Sequence, residues 1–321
     1  MIGALLIISI IAFIVIQLPP GDFLTVYVRL LERMGVSTRR SDLEDLEQFY
    51  GLDKPLHIQY LKWMGNFVRG DLGRSFSYQR SLAELLAERV PYTMLLSLIA
   101  LLLTYIIAIP IAIYSSTHQY SLGDYIFTVI GFIGLAVPGF LLALILMFLF
   151  NQWFGMSIGG LFSFEYLTAS WSIGKIIDLL KHLLLPIVIV GLSGTASIIR
   201  IMRSCLLDEL SKQYVITARS KGVSERKLLW KYPVRIALNP IVSTIGWILP
   251  SLVSGSIIVS VVLNLPTTGP LLLEALRLQD MYLAGSTVMI LSFLTILGTF
   301  ISDLILGALD PRIRMEGKIA R

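Results

Sequence analysis

Charged residues are scarce in this chain of 321 residues, of which Lys, Arg, Asp and Glu make up 15%. A soluble globular domain of ordinary composition carries about 25%. Hydrophobic residues account for 55%, and the mean hydropathy is +0.79. The lack of charge excludes an ordinary water-soluble domain and indicates a polytopic membrane protein. In such a protein the position of the basic residues matters more than their sum, so the net charge of +5 predicts no nucleic-acid partner.

Residue sets for metal binding and catalysis are also missing. Cys205 is the single cysteine, which excludes an intrachain disulfide and a cysteine-based metal cluster. The three histidines follow no metal-ligand spacing, so no metal is expected. The stretch GLSG at 191–194 matches the Gly-x-Ser-Gly of intramembrane serine proteases, but no histidine follows His182 to act as a base for Ser193. We therefore expect no enzymatic activity.

The chain also lacks the parts that would energise transport. No Gly-x-x-x-x-Gly-Lys-Ser/Thr sequence occurs, so no phosphate-binding loop of this kind is present. Ion-coupled carriers place ionisable groups inside the membrane, but here Asp303 is the clear exception in apolar segments that are otherwise nearly free of them. If the chain moves a solute uphill, ATP and Mg²⁺ must be bound by partner subunits, and no cofactor is expected in this chain.

Long apolar segments are what the sequence has instead. A membrane-spanning helix needs about 20 mostly apolar residues, and six segments meet or approach this length. The predicted spans are 2–18, 92–114, 126–150, 183–199, 241–263 and 283–309. Four Gly and Ser residues dilute the fourth, which predicts close packing in the interior. The first has no basic flank and no cleavage site, which excludes a cleaved signal peptide; we expect a few basic residues upstream of Met1.

The distribution of Lys and Arg predicts the orientation. The loop 200–240 holds nine of them, whereas the loop 264–282 holds one. In a six-span arrangement the basic loop and the basic tail 310–321 lie on the same side, which the positive-inside rule makes cytoplasmic. We therefore expect a multi-pass protein of the cell (inner) membrane with both termini in the cytoplasm.

Residues 19–91 predict a small helical module outside the membrane. Capping boxes of the form Ser-x-x-Glu begin at Ser41 and Ser81, and a helix is predicted between them from Pro55 to Arg69. Pro91 is expected to begin the second span, because proline is tolerated best at the start of a helix. The module is thus an extracytoplasmic insertion after the first span, and the five later spans form a core at 92–309.

The cytoplasmic loop 206–240 predicts a bent pair of helices. Gly222 is the expected end of the first helix, because glycine adopts left-handed backbone angles without strain. Ser224 is expected to cap the second helix, which Pro233 bends or ends. The apolar face of this second helix is expected to carry Leu228, Leu229 and Trp230. A loop that only fixes topology needs no such hairpin, so the pattern favours a docking element for a soluble partner.

The segment "YVITARSKGVSERKLLWKYPVRIALNPIV", residues 214–242, resembles the cytoplasmic loop of ABC transporter permeases. It is most similar to the dipeptide/oligopeptide branch, which reads Thr-Ala-Arg-Ala-Lys-Gly, with Ser220 in place of an alanine. Ile216 replaces the acidic residue of the general pattern, and Asn239 replaces its leucine. The segments 50–76 and 309–314 also resemble this branch, so the similarity covers nearly the whole chain.

The resemblance implies an all-α membrane protein with six transmembrane helices and the type I ABC importer permease architecture. It implies a second homologous permease, two cytoplasmic P-loop ATPases that hold ATP and Mg²⁺, and an extracytoplasmic solute-binding protein over the module. Each ATPase would grip one glycine-hinged loop. Ala218 and Gly222 would let this loop sit close to the ATPase, and Arg219 and Lys221 would add charge contacts. The full docking set is Thr217, Ala218, Arg219, Ser220, Lys221, Gly222 and Ser224.

Two further sets of candidate residues follow from small and turn-forming residues in the later spans. The first would line a translocation pathway or, equally, permit close helix packing. It comprises Pro138 and Gly139, which break the third span, and Gly246, Pro250, Ser251, Ser254, Gly255 and Ser256 in the fifth. The second, Thr267, Thr268 and Gly269, belongs to an outer loop that would contact the binding protein or form an ordinary turn.

The function implied is an ATP-driven importer subunit that works by alternating access, for di- or oligopeptides. The same role for oligosaccharides, opines or nickel chelates is the alternative within this branch. A membrane channel or scaffold whose basic loop docks a regulator is the alternative of a different class.

Overall fold

A computed structural model of the chain describes residues 2–19, 21, 23–33, 53–155 and 159–309. The predicted capping box at Ser41 and the basic tail 310–321 lie outside these residues. The regular elements of the described part are helices. They are α1 (Ile2–Gln17), α2 (Phe23–Arg33), α3 (Leu56–Val68), α4 (Leu82–Thr117), α5 (Leu122–Ala136), α6 (Gly139–Phe154), α7 (Ile173–Leu210), α8 (Gln213–Ser220), α9 (Glu225–Lys231), α10 (Pro233–Ser243), α11 (Ile245–Val262), α12 (Thr268–Arg277) and α13 (Met281–Leu309), with a short 3₁₀ turn at Phe164–Tyr166.

Two of the described helices are long and apolar enough to cross a membrane alone, namely α4 and Met281–Leu304 of α13. Three further candidates are pairs of helical segments with a bend between them. They are α5 with α6, bent by 105°, the two parts of α7, bent by 46°, and Glu225–Ile248 with Pro250–Val262, bent by 49°. Counting each pair as one span gives up to five in the described residues. Helix α1 has 16 residues, which is shorter than a full span. The count of six therefore remains a prediction.

The break in the third span lies where the sequence predicts it. Helix α5 ends at Ala136, and Val137 is extended (φ −88°, ψ 120°), as expected for a residue that precedes proline. Helix α6 then begins at Gly139 after Pro138.

Two other helix boundaries differ from prediction. Pro91 does not begin a helix: α4 starts at Leu82 and continues through the proline. Leu82 and Leu85 in its first turns are 0% and 1% exposed, and this packing offsets the backbone hydrogen bond that the proline removes. The fourth predicted span is part of α7, which has 38 residues and is much longer than 183–199.

The chain divides into two compact units, of which the first comprises Met1–Tyr92 and Pro266–Ile296. The predicted helix 55–69 is present as α3, and the left-handed Gly70 (φ 83°) follows it. Trp63 of α3 is 1% exposed, and its ring stacks on Phe13 of α1 at 6.2 Å between centroids. The Ser9 and Tyr60 hydroxyl groups also share a hydrogen bond of 2.8 Å. Helix α3 therefore shares a hydrophobic core with α1.

Gly285 of α13 permits the close approach of Trp63. A Cβ atom added at Gly285 would lie 2.8 Å from the indole ring, which is closer than van der Waals contact allows. We expect Gly285→Ala to destabilise this unit by about 1–3 kcal/mol, the usual cost of overpacking a core. Thermal unfolding of the purified protein in detergent measures the loss.

Gly65 of α3 provides the matched control, because a Cβ atom there meets nothing within 4 Å. Gly65→Ala is expected to leave the unfolding temperature unchanged or to raise it, since alanine favours helices over glycine by about 0.5–1 kcal/mol. Equal unfolding temperatures for Gly285→Ala and the parent protein would show that the Trp63 ring can move aside without loss of stability.

The second unit comprises Thr93–Leu265 and Leu297–Arg321. Small residues of α7 pack against α4 here, as the dilution of the fourth span predicts. The hydroxyl group of Thr104 donates to the carbonyl of Gly191 at 3.2 Å, and a Cβ atom at Gly191 would lie 3.1 Å from that hydroxyl group. The hydroxyl groups of Tyr105 and Thr244 meet at 2.7 Å and join α4 to the end of α10. Helix α7 packs against α5, α10 and α11 and is the central helix of this unit.

Candidate coupling site

Gly222 ends α8 in a complete Schellman motif. Its φ is +78°, a value that glycine adopts without strain. The Gly222 amide donates to the Arg219 carbonyl at 3.0 Å, and the Val223 amide donates to the Ala218 carbonyl at 3.3 Å. The prediction of a left-handed stop at Gly222 is confirmed. The first helix differs from prediction, because it is interrupted at Ser211 and Lys212, so residues 206–210 belong to α7 and α8 starts at Gln213.

Helices α8 and α9 enclose a small apolar core. Val215 and Leu228 are 0% exposed, Ala218 is 8% exposed, and Val223 and Tyr232 pack against these three. Ala218 was expected to face the ATPase, but its side chain lies inside the hairpin because α8 rotates Val215 and Ala218 toward Leu228. Of the residues predicted for the apolar face of α9, Leu228 is buried, Leu229 is partly buried, and Trp230 is 55% exposed. The hairpin is therefore a packed unit and does not have the character of a flexible linker.

An ion pair closes the open side of the turn. The Arg219 guanidinium donates from Nε to Oε1 of Glu225 at 2.6 Å and from Nη2 to Oε2 at 3.1 Å. These hydrogen bonds lower the pKa of Glu225 below its ordinary value, so the pair is ionised at neutral pH. Arg219 was expected to contact a partner protein, but within the hairpin its positive charge is already paired with the Glu225 carboxylate.

The outward surface of the hairpin carries the remaining predicted docking residues. Thr217, Ser220, Lys221, Gly222 and Ser224 are all exposed. A Cβ atom at Gly222 would meet nothing within 4 Å, so the tip of the turn is open to a partner. Ser224 precedes α9 as predicted, although its hydroxyl group makes no capping hydrogen bond. Two exposed apolar residues add to this surface: Trp230 (55%), which the sequence placed on an apolar face, and Ile216 (44%), for which the sequence predicted no contact.

The hairpin is joined to the membrane helices at both ends. Tyr214 donates a hydrogen bond to Glu209 near the end of α7. Partial burial and this hydrogen bond raise the pKa of Tyr214 to about 12, so the hydroxyl group keeps its proton at neutral pH. On the other side α10 follows α9 directly and packs along α7. The hairpin is therefore attached both to α7 and to α10.

The predicted pathway residues of the fifth span fall on different faces. Ser251, Ser254 and Gly255 are exposed and share one face of α11, and a Cβ atom at Gly255 would meet nothing within 4 Å. Ser256 is buried, and its hydroxyl group donates to the carbonyl of Val253 at 2.8 Å.

Of the remaining pathway residues, Gly246 packs against α13, where Thr299 donates to its carbonyl at 3.2 Å. Pro250 lies inside α11 and is partly buried. In the third span Pro138 is exposed, whereas Gly139 faces Val259 at 3.4 Å from its Cβ position. The structure therefore brings together Ser251, Ser254 and Gly255 and places Gly139, Gly246 and Ser256 in packing positions, whereas Pro138 is exposed and Pro250 is partly buried.

The residues predicted to contact a binding protein are not at the surface. Thr267 and Thr268 are 2% and 0% exposed, and Gly269 is buried. The expected outer turn is instead the start of α12, with Thr267 in the N-cap position. A docking protein cannot reach these three side chains, so the prediction of a contact there is wrong for this conformation.

Comparison with known proteins covers the chain almost from end to end. A family model described as "Binding-protein-dependent transport system inner membrane component" matches residues 108–315, which include the whole hairpin. The chain belongs to this family.

Individual relatives of the permease agree with the family match. The chain is 34% identical to the oligopeptide transport system permease protein AppB of Bacillus subtilis over 97% of its own length and 96% of the relative. It is 31% identical to the inner membrane ABC transporter permease protein YejB of Escherichia coli, with 86% of the chain and 77% of the relative covered. The peptidoglycan transport system permease protein YejB of Agrobacterium fabrum is 32% identical, with 85% and 76% covered.

Family membership fixes the general role. The chain is a multi-pass membrane permease subunit of an ABC transport system, it works with a binding protein and an ATPase, and permease subunits of this family are not themselves enzymes.

An ion pair at the base of the hairpin was missed from the sequence. Arg203 of the permease donates to Asp124 at 3.1 Å from Nε and at 2.9 Å from Nη2, and the Tyr120 amide donates to the same carboxylate at 3.0 Å. The side chains are 28% and 5% exposed. The pair ties α7, seven residues before its end, to the first turn of α5. A lone Asp in one loop and one Arg among nine gave no signal of this pairing.

We expect Arg203→Gln or Asp124→Asn to destabilise the permease by roughly 2–3 kcal/mol, because each leaves a partly buried charge without its partner. The exchange Asp124→Arg with Arg203→Asp is expected to recover part of this loss. Thermal unfolding of the parent protein, Arg203→Gln, Asp124→Asn and the double variant that combines these two changes measures the coupling energy. Arg219→Gln is the control: its pair is exposed, so no measurable change is expected. Additive effects of the two single changes would show that the pair contributes nothing.

A groove of about 320 Å³ lies beside this ion pair, between α5 and α7. Its walls are apolar along Phe132 and Leu135 and charged at Arg200 and Asp208. The groove belongs to the same pair of helices that the Arg203–Asp124 contact joins.

Proposed function

We propose that the permease is one of two homologous transmembrane subunits of a type I ABC importer, with a cytoplasmic ATPase bound to the α8–α9 hairpin of each. ATP-driven closure of the ATPases would pull both hairpins, and the transmembrane helices would then alternate between inward-facing and outward-facing states. The observation that carries this proposal is the packed hairpin with its Schellman turn, apolar core and ion pair. A rigid element of this kind transmits force, whereas a flexible loop would absorb it.

The contacts between loops support the proposed grouping of the loops on two sides, and the positive-inside rule indicates which side is cytoplasmic. Asp124 and Arg203 meet, and both lie in segments that the positive-inside rule assigns to the cytoplasm. Gly160 donates to the carbonyl of Leu263 at 2.9 Å at the ends of two other spans, which the same rule assigns to the outer side. With both termini cytoplasmic, the α3 region lies outside, where a solute-binding protein would deliver its ligand.

Di- or oligopeptides are the proposed substrates. The names of the relatives from Bacillus subtilis and Agrobacterium fabrum specify oligopeptide and peptidoglycan transport. The exposed face of Ser251, Ser254 and Gly255 supports a pathway lined by small polar groups: the Ser251 hydroxyl group, which donates to the carbonyl of Ile248 at 2.7 Å, can still accept a further hydrogen bond. A face of small residues also leaves room for substrates with different side chains.

Co-purification followed by transport tests the proposal. The tagged permease, extracted in mild detergent, is expected to bring down a second permease and P-loop ATPases, identified by mass spectrometry. The recovered complex in proteoliposomes, supplied with its binding protein and internal ATP, is expected to accumulate labelled tripeptides. Accumulation of a labelled oligosaccharide or nickel chelate in place of the peptides would keep the importer and replace the substrate.

Recovery of the permease alone, or with a soluble regulator and no ATPase, would support the alternative of a channel or scaffold. The same vesicles then distinguish the two, because a channel lets solute equilibrate without ATP whereas an importer concentrates it.

A further inference from the structure

The groove between α5 and α7 follows the line along which these two helices pack. A Cβ atom at Gly131 of α5 would lie 3.7 Å from Ala196 of α7, and Asp124 binds Arg203 two helical turns nearer the end of α7. Gly131 and Ala196 leave the groove open, because neither has a side chain larger than a methyl group. Its volume of about 320 Å³ is at the lower end of the range for small-molecule sites. The groove is therefore of a size that suits a small ligand.

Two side chains of opposite charge lie at different levels of this groove. Arg200 and Asp208 both belong to α7, both are exposed, and neither takes part in an ion pair with the described residues. Asp208 comes eight residues after Arg200, which corresponds to about 12 Å along the helix axis. Arg203 also lines the groove, but its charge is paired with Asp124. The groove therefore offers a ligand one positive and one negative group, well separated along α7.

Hydroxyl groups and apolar side chains line the space beside these charges. Ser204 lies on α7 one helical turn from Arg200 and one from Asp208, Thr128 lies on the α5 wall, and both are exposed. A hydroxyl group both donates and accepts hydrogen bonds, so these two can bind peptide N–H and C=O groups. The apolar part of the walls includes Phe132, Leu135 and Ile199. Apolar walls with a few polar groups that fix orientation are typical of ligand sites.

The separation of the two charges selects the chemistry of the ligand. A free peptide has a carboxylate at one end and an ammonium group at the other. Because an extended chain covers at most about 3.3–3.6 Å per residue, about 12 Å corresponds to roughly three or four residues. A single amino acid is too short to reach both groups, and the two charges of a zwitterionic phospholipid head group are only a few bonds apart. A purely anionic ligand would pair with Arg200 but be repelled by Asp208.

We propose that this groove binds a zwitterionic peptide of three or four residues, with its carboxylate on Arg200, its ammonium group on Asp208 and its side chains against the apolar walls. A guanidinium group and a carboxylate form two parallel hydrogen bonds, which gives this end of the site its specificity. The inference rests on the proposed function, because it takes peptides as the transported solute. In the proposed orientation the charged part of the groove is cytoplasmic, so the site holds the peptide after it has crossed the membrane.

Peptide binding by the purified complex tests the site. The permease, with the subunits that co-purify, is placed in phospholipid nanodiscs without a solute-binding protein, and binding of radiolabelled trileucine is measured by equilibrium dialysis. We expect Arg200→Gln and Asp208→Asn each to raise the dissociation constant roughly 10- to 100-fold, because each removes a hydrogen-bonded charge pair. Arg235→Gln is the matched control, since Arg235 is exposed on α10 and does not line the groove; no change is expected there.

Modified peptides assign each end of the ligand to its residue. Trileucine amide lacks the carboxylate, and N-acetyl-trileucine lacks the ammonium group. We expect Arg200→Gln to change the binding of the amide little, and Asp208→Asn to change the binding of the acetylated peptide little, whereas each variant still weakens the binding of the other peptide. Equal losses for all three peptides in either variant would indicate a distorted groove and overturn the assignment.

Uptake of trileucine by proteoliposomes, with the binding protein outside and ATP inside, separates this inference from the proposed function. Uptake without binding to the nanodisc complex, or with binding that Arg200→Gln and Asp208→Asn both retain, would overturn the groove site and leave the importer intact. Neither uptake nor binding of trileucine, together with accumulation of another solute, would overturn the peptide assignment and the site with it. Native mass spectrometry that finds a phospholipid retained by the parent protein and lost from Arg200→Gln, without peptide binding, would replace the peptide with a lipid.

Discussion

Gly222→Pro is expected to abolish uptake by the permease while leaving it inserted in the membrane. Proline fixes φ near −65° and has no amide hydrogen. The native φ is +78°, and the Gly222 amide donates to the carbonyl of Arg219. The substitution therefore removes the turn that holds α8 and α9 together and separates Ala218 from Leu228. The membrane helices keep their own cores, so the amount of protein in the membrane is expected to change little.

The measurement is the ratio of ATP hydrolysed to solute transported, with membrane insertion followed by immunoblotting. Gly222→Ala is expected to have a smaller effect, because an L-residue in this region costs about 1–2 kcal/mol. Gly70→Ala is the matched control: Gly70 also has a positive φ (83°) and open space around it, but it follows α3 and is not part of the hairpin. Normal uptake by Gly222→Pro would exclude the hairpin as the coupling element.

Asp280→Ala is expected to have the largest effect on stability. Asp280 is 0% exposed and lies at the start of α13. Its carboxylate accepts from the hydroxyl groups of Ser75 and Ser77 at 2.6 and 2.9 Å, from the Ser77 amide at 2.9 Å and from the Leu283 amide at 3.1 Å. Alanine removes the acceptor of all four hydrogen bonds, and only one of the two hydroxyl groups can then donate to the other, which is 3.1 Å away. At about 1–3 kcal/mol for each buried donor, we expect a loss of about 3–5 kcal/mol after partial relaxation.

Hydrogen exchange of the Ser75 and Leu82 amides measures this loss without depending on the bonds removed. These amides donate to Arg80 and Gly73, which lie in the same segment, and not to Asp280. A loss of about 3–5 kcal/mol corresponds to exchange roughly 10²- to 4 × 10³-fold faster. Asp280→Asn is expected to be intermediate, because its amide group keeps one acceptor oxygen.

Asp303→Asn, near the other end of α13, is the control, because Asp303 is exposed and a change there is expected to leave these amides unaffected. Unchanged exchange in Asp280→Ala would mean that the segment 71–81 is held by Phe76 and Tyr282, whose rings are 5.2 Å apart, and not by the carboxylate.

The two largest effects concern different tasks. Gly222 shapes the element through which ATPase movement would reach the membrane helices. Asp280 joins the segment 71–81 to the start of the last helix and so stabilises the part of the chain proposed to receive the binding protein. The first change is expected to alter coupling while the membrane helices keep their stability, and the second to alter stability first. Measuring both quantities for both variants therefore separates the two roles.

The amino-acid sequence by itself determined the class of protein and the local features of its helices. The lack of charge and the apolar segments indicated a membrane protein, because a lipid environment requires them. Gly222 and Pro138 marked a turn and a break correctly, since the backbone angles open to glycine and proline depend little on distant contacts. The motif around Gly222 also led to the permease family, which the comparison with known proteins confirmed.

Only the tertiary structure decided which side chains are available to partners. Ala218 faces Leu228, Arg219 is paired with Glu225, and Thr267 is buried, although each was expected to meet another protein. Asp280 binds Ser75 across 205 residues of sequence, and Arg203 binds Asp124 across 79. Burial and pairing of this kind depend on how helices distant in sequence rotate and pack. Local pattern does not contain that information, because a residue's neighbours along one helix do not specify what the opposite helix brings against it.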